Sequence, residues 1–298
     1  MGRIRKPRGL PLDGWLIVDK PRGITSTDVV NRVRRAFDAQ KAGHGGTLDP
    51  LATGVLPIAL GEATKLAGRM LDASKAYAFT VAWGVATATD DGEGAVVATS
   101  AVRPTGDAIE AVLTRFTGPI TQTPPAYSAL KVDGQRAYKL ARAGIAVELA
   151  ARELTIHALD LLDTTLDSAT FVARVSKGTY IRSLARDLAL ALGTVGHVSM
   201  LRRTRAGPFG LSGAITLDKL GGFAQDVLEQ AVLPLTAGLD DIPAFAVSPE
   251  EALALRQGRA LPGHPANHGL YLATEGLVPV ALVDISSAEI RVVRGFNL

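Results

Sequence analysis

A nine-residue alternation beginning at Tyr77 limits what this chain can fold into more than any other feature. Large apolar side chains occupy every second position from Tyr77 to Val85, and smaller residues stand between them. Successive side chains of a strand point to opposite faces, so this period of two predicts a β-strand with one heavily apolar face. The strands, helices and hairpins predicted elsewhere follow no regular βαβ alternation. We therefore expect an α+β fold, with a mixed or antiparallel sheet flanked by helices.

The remaining patterns divide the chain into a tail, a large domain and a small module. Residues 1–14 are predicted to be a basic N-terminal tail, 15–241 the large domain, and 245–298 a small β-rich module. Residues about 121–152 resemble an insertion into the large domain, because a proline-rich entry and a basic helix interrupt the strand pattern. The other predicted elements are strands over 15–20, 153–163, 169–176, 270–274, 278–284 and 290–294, a strand near Val96, and helices over about 25–37, 62–71, 105–117, 181–192 and 249–257.

The composition of the chain and the motifs that it lacks exclude several kinds of chemistry. None of the 298 residues is cysteine, which excludes disulfides, thiolate catalysis and Cys-ligated metals. The five histidines form no HExxH motif, and the pair His264 and His268 lies in a stretch not expected to be helical. There is no GxxxxGK[ST] or GxGxxG motif, no apolar run as long as a membrane span, and no apolar signal-peptide region. We expect a soluble cytoplasmic protein that uses no metal and no cofactor.

The run from His44 to Pro57, HGGTLDPLATGVLP, contains a single carboxylate, Asp49, among apolar residues. Pro50 disfavours the α region for Asp49, so its side chain is presented from an extended or turn backbone. Placing a carboxylate among apolar residues costs free energy unless the charge is paired, and carboxylates kept in such surroundings often take part in a reaction. The alternative is an Asp that makes a turn hydrogen bond before proline. The flanking glycines, the histidine and the apolar run favour a functional site.

Basic residues cluster between Lys177 and Arg205. This block has six basic residues and one acidic residue, interleaved with Tyr180. Such a run is often only a solvated face, but with an aromatic residue it also suits contacts to nucleic-acid phosphates. No second carboxylate has a setting like that of Asp49, which disfavours hydrolysis by paired carboxylates. A nucleophilic Asp held by an Arg, with a substrate stacked on Tyr, fits the pattern better.

Five segments carry a resemblance to a known family. They are DKPRGITS (19–26), GHGGTLDPLATGVLPIALGEATK (43–65), KAYAFTVAWGVATATDDGEG (75–94), QTPPAYSALKVDGQRAYKLARAG (122–144) and SKGTYIRSLARDL (176–188). In order and content they closely resemble the bacterial tRNA pseudouridine synthase B family, which makes pseudouridine 55 in the T-arm of tRNA. The module from about 245 resembles, more weakly, the PUA-type RNA-binding module of that family. Gly45 and Ala88 depart from the family pattern, where Thr and Asp are common.

The resemblance implies a role for each site residue. Asp49 would be the nucleophile, Arg182 its ion-pair partner, and Tyr77 a residue that stacks on the flipped uracil and moves a proton. Tyr180 and Leu201 would line the base pocket, His44 would hold or replace the extruded nucleotide, and Lys20 would shape the pocket. The implied partner is the tRNA T-arm, and we expect a monomer with no protein partner. Two alternatives stay open: a tRNA-folding chaperone, and a pseudouridine synthase of different RNA specificity.

Overall fold

The computed structural model describes residues 9–221, 230–263 and 268–298, and its α+β architecture confirms the predicted fold class. His264, part of the histidine pair noted in the sequence, and residues 1–8 of the predicted tail lie outside these ranges. The helices are α1 (Ser26–Ala36), α2 (Ala67–Asp72), α3 (Gly106–Leu113), α4 (Ala137–Arg142), α5 (Ile181–Ala191) and α6 (Pro249–Arg256). The strands are β1 (Gly14–Lys20), β2 (Ala42–His44), β3 (Thr53–Leu60), β4 (Lys75–Trp83), β5 (Val85–Thr87), β6 (Val96–Thr99), β7 (Gly118–Gln122), β8 (Lys131–Val132), β9 (Gln135–Arg136), β10 (Arg152–Thr164), β11 (Ser168–Val175), β12 (Gly196–Ala206), β13 (Phe209–Gly210), β14 (Ile215–Thr216), β15 (Ala244–Ala246), β16 (Leu261–Pro262), β17 (Gly269–Glu275), β18 (Val278–Ile285) and β19 (Glu289–Gly295).

A ten-stranded mixed sheet organises the described part of the large domain. Its main path runs β14-β1-β3-β12-β4-β11-β10-β7, with β13 paired to β12 and β2 paired to β3. The pairs β1–β14 and β3–β12 are parallel, and the other pairs are antiparallel. The sheet therefore brings β3, β12 and β4 side by side, although they are far apart in the sequence.

The alternation that begins at Tyr77 lies in β4, near the middle of this sheet. Phe79, Val81 and Trp83 are buried in the main core, where Phe79 stacks on Phe171 of β11 with ring centroids 5.3 Å apart. Helices α1 and α5 bury their apolar residues in the same core. At the N-terminus of α1, Thr25 and Asp28 form the predicted capping box, which satisfies backbone N–H groups of the first turn.

Two predicted elements differ in the structure. The helix predicted over 62–71 is a 3₁₀ segment from Gly61 to Leu66 followed by the short helix α2. The strand predicted to continue to Val85 ends at Trp83, because Gly84 takes a φ of +85°, a left-handed conformation that breaks the strand. Consequently β5 and β6 form a separate hairpin, so the strand near Val96 does not pair with β4.

The predicted insertion leaves and rejoins the sheet between neighbouring strands. Strands β7 and β10 pair directly, with Gln122 opposite Arg152, so the segment between them is a long excursion from the sheet edge. Its regular structure is a small hairpin, β8–β9, followed by α4.

A second sheet occupies the C-terminal part of the chain, in the order β15-β17-β18-β19-β16, and confirms the predicted β-rich module. Its residues Leu272, Leu282 and Phe296 pack in a hydrophobic cluster with residues of the large domain such as Trp15 and Val55. The module is thus joined to the large domain by shared core packing. None of the helices in the described ranges is long and apolar enough to span a membrane.

Candidate active site

Backbone and side-chain contacts fix the loop that carries Asp49 between β2 and β3. The Ser26 hydroxyl accepts a hydrogen bond from Leu48 N–H at 2.8 Å and donates to the Leu48 carbonyl at 3.0 Å. Ala52 N–H donates to the Asp49 carbonyl at 3.1 Å, which closes a tight turn, and Gly23 N–H donates to the Pro50 carbonyl at 2.8 Å. The carboxylate is therefore presented from a turn braced by the start of α1, as Pro50 in the sequence predicted.

Asp49 forms an ion pair with Arg182, the residue that the family resemblance implied as its partner. Arg182 Nε lies 2.9 Å from Asp49 Oδ2, and the arginine side chain is 5% exposed whereas that of Asp49 is 37% exposed. The other two guanidinium nitrogens donate to the carbonyls of Thr89, at 2.9 Å, and Tyr127, at 3.0 Å. The three guanidinium nitrogens thus contact three different partners, and the two carbonyl contacts orient the guanidinium toward the carboxylate.

A second carboxylate, Asp91, lies beside this pair. Its Oδ2 is 3.7 Å from Arg182 Nε, and its side chain is 4% exposed. The other oxygen, Oδ1, accepts hydrogen bonds from the Thr89 hydroxyl and from Glu93 N–H. A buried guanidinium requires compensating partners, and Asp91 supplies a second negative charge near the same nitrogen that contacts Asp49.

Asp49 and Arg182 line a cavity of about 270 Å³ that also contains the predicted base-binding residues. Tyr77 from β4, Tyr180 at the N-cap of α5 and Leu201 from β12 all contribute to its wall. These residues come from four separate segments of the chain, which the sheet order and the start of α5 bring together. A half-exposed carboxylate beside two phenol rings can act on a planar ligand that enters between them.

The surroundings of Tyr180 favour the protonated form of its phenol. Its backbone N–H donates to Gln122 Oε1 at 2.8 Å, which ties the start of α5 to the end of β7. Burial raises the pKa of the Tyr180 phenol, and the nearby Ser128 side chain and the charge of Arg182 offset this only in part. The phenol is therefore protonated at neutral pH and can serve as a hydrogen-bond donor.

His44 and Lys20 are predicted site residues that do not line this cavity. His44 is half-buried at the end of β2, where its Nδ1 accepts a 3.4 Å hydrogen bond from Gly46 N–H. Burial and the charge of Arg203 lower its pKa. Lys20 is fully buried behind the loop, and its ammonium donates to the carbonyls of Pro21, Ile24 and Pro50.

The environment of Lys20 depresses its pKa to about 8, chiefly through burial, although the charges of Asp49 and Glu93 oppose the effect. One of its three carbonyl contacts is to Pro50 in the Asp49 turn, and the other two are to Pro21 and Ile24 in the segment between β1 and α1. The structure therefore places Lys20 as a brace of the loop and not as part of the cavity wall.

Sequence reasoning missed two charged residues of this region, Asp91 and Arg203. Asp91 follows Asp90, whose φ of +58° marks a tight turn, and the DDGEG turn was the available signal. Arg203 was counted only as one member of a basic block, yet its residue exposure is 1% and it lines the cavity. Its position opposite Gly54 in the parallel pair β3–β12 could not be derived from the sequence pattern. In the described residues, no group of three or more His, Asp or Glu side chains is arranged to hold a metal ion.

Comparison with known proteins gives consistent matches. The model of the TruB family pseudouridylate synthase (N terminal domain) matches residues 34–181, and that of the tRNA pseudouridylate synthase B C-terminal domain matches 182–240. The chain is 59% identical to the tRNA pseudouridine synthase B of Novosphingobium aromaticivorans, over 96% of this chain and 98% of that protein. It is 56% identical to the protein of the same name from Zymomonas mobilis, over 96% of each. A chain in the crystal structure of a Cbf5-Nop10-Gar1 complex matches with a TM-score of 0.73 and 29% identity, over 96% of this chain and 85% of that one.

Proposed function

The chain belongs to the TruB family of pseudouridylate synthases, and we propose that it converts uridine 55 in the T-arm of tRNA to pseudouridine. The observation that carries this proposal is the Asp49–Arg182 ion pair, 2.9 Å long, in a cavity lined by Tyr77 and Tyr180. The high identity to proteins named tRNA pseudouridine synthase B supports tRNA as the substrate.

The proposed reaction rearranges atoms already present in the substrate. The glycosidic bond between N1 and C1′ breaks, a bond between C5 and C1′ forms, C5 loses its proton and N1 gains one. Substrate and product have the same composition, so the balance requires no oxidant, reductant or phosphate donor. A nucleophile that holds the intermediate while the base turns is the group the reaction needs, and Asp49 is suited to this task.

The other residues of the cavity take supporting roles in the proposal. Arg182 orients the Asp49 carboxylate, and Tyr77 stacks on the uracil ring and takes part in proton movement. Tyr180 and Leu201 shape the base pocket. His44 holds or replaces the extruded nucleotide, and Lys20 acts through the backbone of the Asp49 loop.

The substrate uridine lies within folded RNA, so it must be flipped out before its C1′ and C5 can reach Asp49. We assign catalysis to residues 15–241, the gripping of RNA to the insertion at about 121–152, and further RNA contacts to residues 245–298, as a PUA-like module. Basic side chains exposed on the insertion, such as Lys131 and Arg136, support this assignment because they can contact phosphates. We expect the protein to act on tRNA as a monomer.

Mapping pseudouridine in an unmodified tRNA transcript after incubation with the protein tests the proposal. The expected result is one modified site, at position 55, and no product in a transcript with cytidine at that position. Modification at another site would establish a different RNA specificity. Tight binding and improved tRNA folding without any pseudouridine would identify a chaperone and refute the enzymatic proposal.

A further inference from the structure

Arg203 is a buried cation without an acidic partner in the described ranges. Its residue exposure is 1%, and none of the described carboxylates lies within 4 Å of its guanidinium. A buried charge is costly unless hydrogen bonds compensate it, and an apolar side chain of similar size would fill the same space at lower cost. Packing alone therefore does not account for an arginine at this position.

The guanidinium makes its hydrogen bonds to backbone carbonyls on both sides of Asp49. Nη2 donates to the Gly46 carbonyl at 3.0 Å, Nη1 to that of Thr47 at 3.4 Å, and Nε to that of Val55 at 2.8 Å. Gly46 and Thr47 precede the catalytic turn, and Val55 follows it in β3. One side chain thus connects the entry of the loop to its exit.

The neighbouring backbone is built to let Arg203 reach these carbonyls. Gly54 pairs with Arg203 in the parallel pair β3–β12 and has a φ of +100°. A Cβ at Gly54 would lie 2.1 Å from the Arg203 carbonyl oxygen, so no other residue fits there without moving the strands apart.

From this geometry we propose that Arg203 is a positioning residue, which holds the Asp49 loop in its reactive conformation by joining its two ends. The inference rests on the proposed isomerase function. Asp49 is half-exposed and its contact with Arg182 is through the side chain, so the ion pair alone leaves the backbone position of the loop to other contacts. Ser26 and Lys20 brace the side of the loop near α1, and Arg203 braces the opposite side, next to β12.

The substitution Arg203→Lys tests the proposal, because it keeps the charge but removes the fork that spans three carbonyls. We expect single-turnover pseudouridine formation to fall by about a hundredfold, as for a small displacement of a reacting group, while the Kd for tRNA changes by less than about threefold. Arg103→Lys is the matched control, since Arg103 also donates to two carbonyls, those of Ser100 and Val102, but lies outside the cavity. That control should leave the rate unchanged.

Hydrogen exchange provides a readout that does not depend on activity. In Arg203→Lys, the amides of Leu48 and Ala52, bonded to Ser26 and to the Asp49 carbonyl, should exchange faster, while amides of β4 and β11 keep their protection. An unchanged rate and unchanged loop exchange would overturn the inference. Loss of protection throughout the molecule, in this variant and in Arg203→Gln, would overturn it too, since Arg203 would then hold the whole fold. Failure of the wild type to form pseudouridine would refute the proposed function instead.

Discussion

At the residue scale, three buried cations surround the half-exposed carboxylate of Asp49. Arg182 contacts it directly, Lys20 lies behind Pro50, and Arg203 lies behind Gly46 and Val55. Each contacts backbone carbonyls, so the charge of each is coupled to a fixed backbone position. Asp91 and Glu93 offset part of this positive charge, so the three cations chiefly fix the backbone around the carboxylate.

His44 gives a pH prediction at this scale. Burial and the charge of Arg203 lower its pKa in the folded protein, so the folded state resists protonation more than the unfolded chain does. As the pH falls through the ordinary histidine value toward the lower folded value, the unfolded state binds more protons. His44 should therefore lower the free energy of unfolding in that range and have no pH-dependent effect above it.

Titration of the histidine ring signals by NMR would measure this pKa directly. Replacing Arg203 with Met should raise the pKa of His44, and His44→Gln should weaken the acid-induced loss of stability. A pKa for His44 at or above the ordinary histidine value would contradict the account.

The sequence identified the chemical groups of the site better than their supports. Asp49 was distinguished by its charge in an apolar run, and the resemblance supplied Arg182, Tyr77 and Tyr180. The roles of Lys20 and Arg203 depend on which carbonyls they reach, and those contacts join residues separated by up to 157 positions. Local patterns contain no information on such contacts. For this reason Arg203 was treated only as one member of a basic block.

At the element scale, α5 connects the Asp49–Arg182 ion pair to the root of the insertion. Arg182 donates to the Tyr127 carbonyl, and Ser183 and Arg186 both donate to the Thr123 carbonyl. Beyond this root, the hairpin β8–β9 is largely exposed, and α4 exposes Lys139 and Arg142. The root is thus fixed to the site, whereas the outer part projects basic side chains toward solvent.

Limited trypsin digestion tests the role of the insertion. We expect cleavage at exposed basic residues of the insertion, such as Lys131 and Arg142, in the free protein, and protection when tRNA is bound. An unrelated RNA duplex of equal length is the control and should protect less. Equal cleavage with and without tRNA would show that the insertion does not grip the substrate.

The sequence predicted the ends of helices correctly where a local signal marks them. It missed them where contacts with distant residues determine the structure. The capping box at Thr25 placed the start of α1 correctly. By contrast, the 3₁₀ segment Gly61–Leu66 depends on contacts that a local sequence pattern does not show. The Asp13 carboxylate accepts a hydrogen bond from Glu62 N–H, and Asn297 N–H donates to the Glu62 side chain. Those partners lie 49 and 235 residues away.

At the scale of the whole molecule, the last residues of the chain pack into the large domain. Phe296 is 1% exposed in the cluster that includes Trp15 and Val55, and Lys65 donates to the Gly295 carbonyl at 2.9 Å. Val55 is also the residue whose carbonyl binds Arg203. The C-terminal module is therefore coupled to the strand that follows the Asp49 loop.

This packing predicts that the two sheets unfold together. Phe296→Ala should lower the free energy of unfolding by about 3–5 kcal/mol, the usual cost of removing a buried aromatic ring. Leu298→Ala, at a position 48% exposed, is the control and should cost no more than about 0.5 kcal/mol. Chemical denaturation followed by the fluorescence of Trp15 and Trp83 would measure both, and a cost below about 1 kcal/mol for Phe296→Ala would show that the module is only loosely attached.

The most direct test of the central claim is pseudouridine formation by Asp49→Asn. Asparagine is nearly the same size as aspartate but cannot act as an anionic nucleophile, and the substitution leaves unchanged the exposed basic residues that we propose contact RNA. The variant should bind tRNA within about tenfold of the wild type, or about 1.4 kcal/mol, and form no detectable pseudouridine. Asp107→Asn, at an exposed carboxylate in the first turn of α3, should retain full activity. If Asp49→Asn still isomerises uridine at a comparable rate, Asp49 is a structural turn residue and the account is wrong.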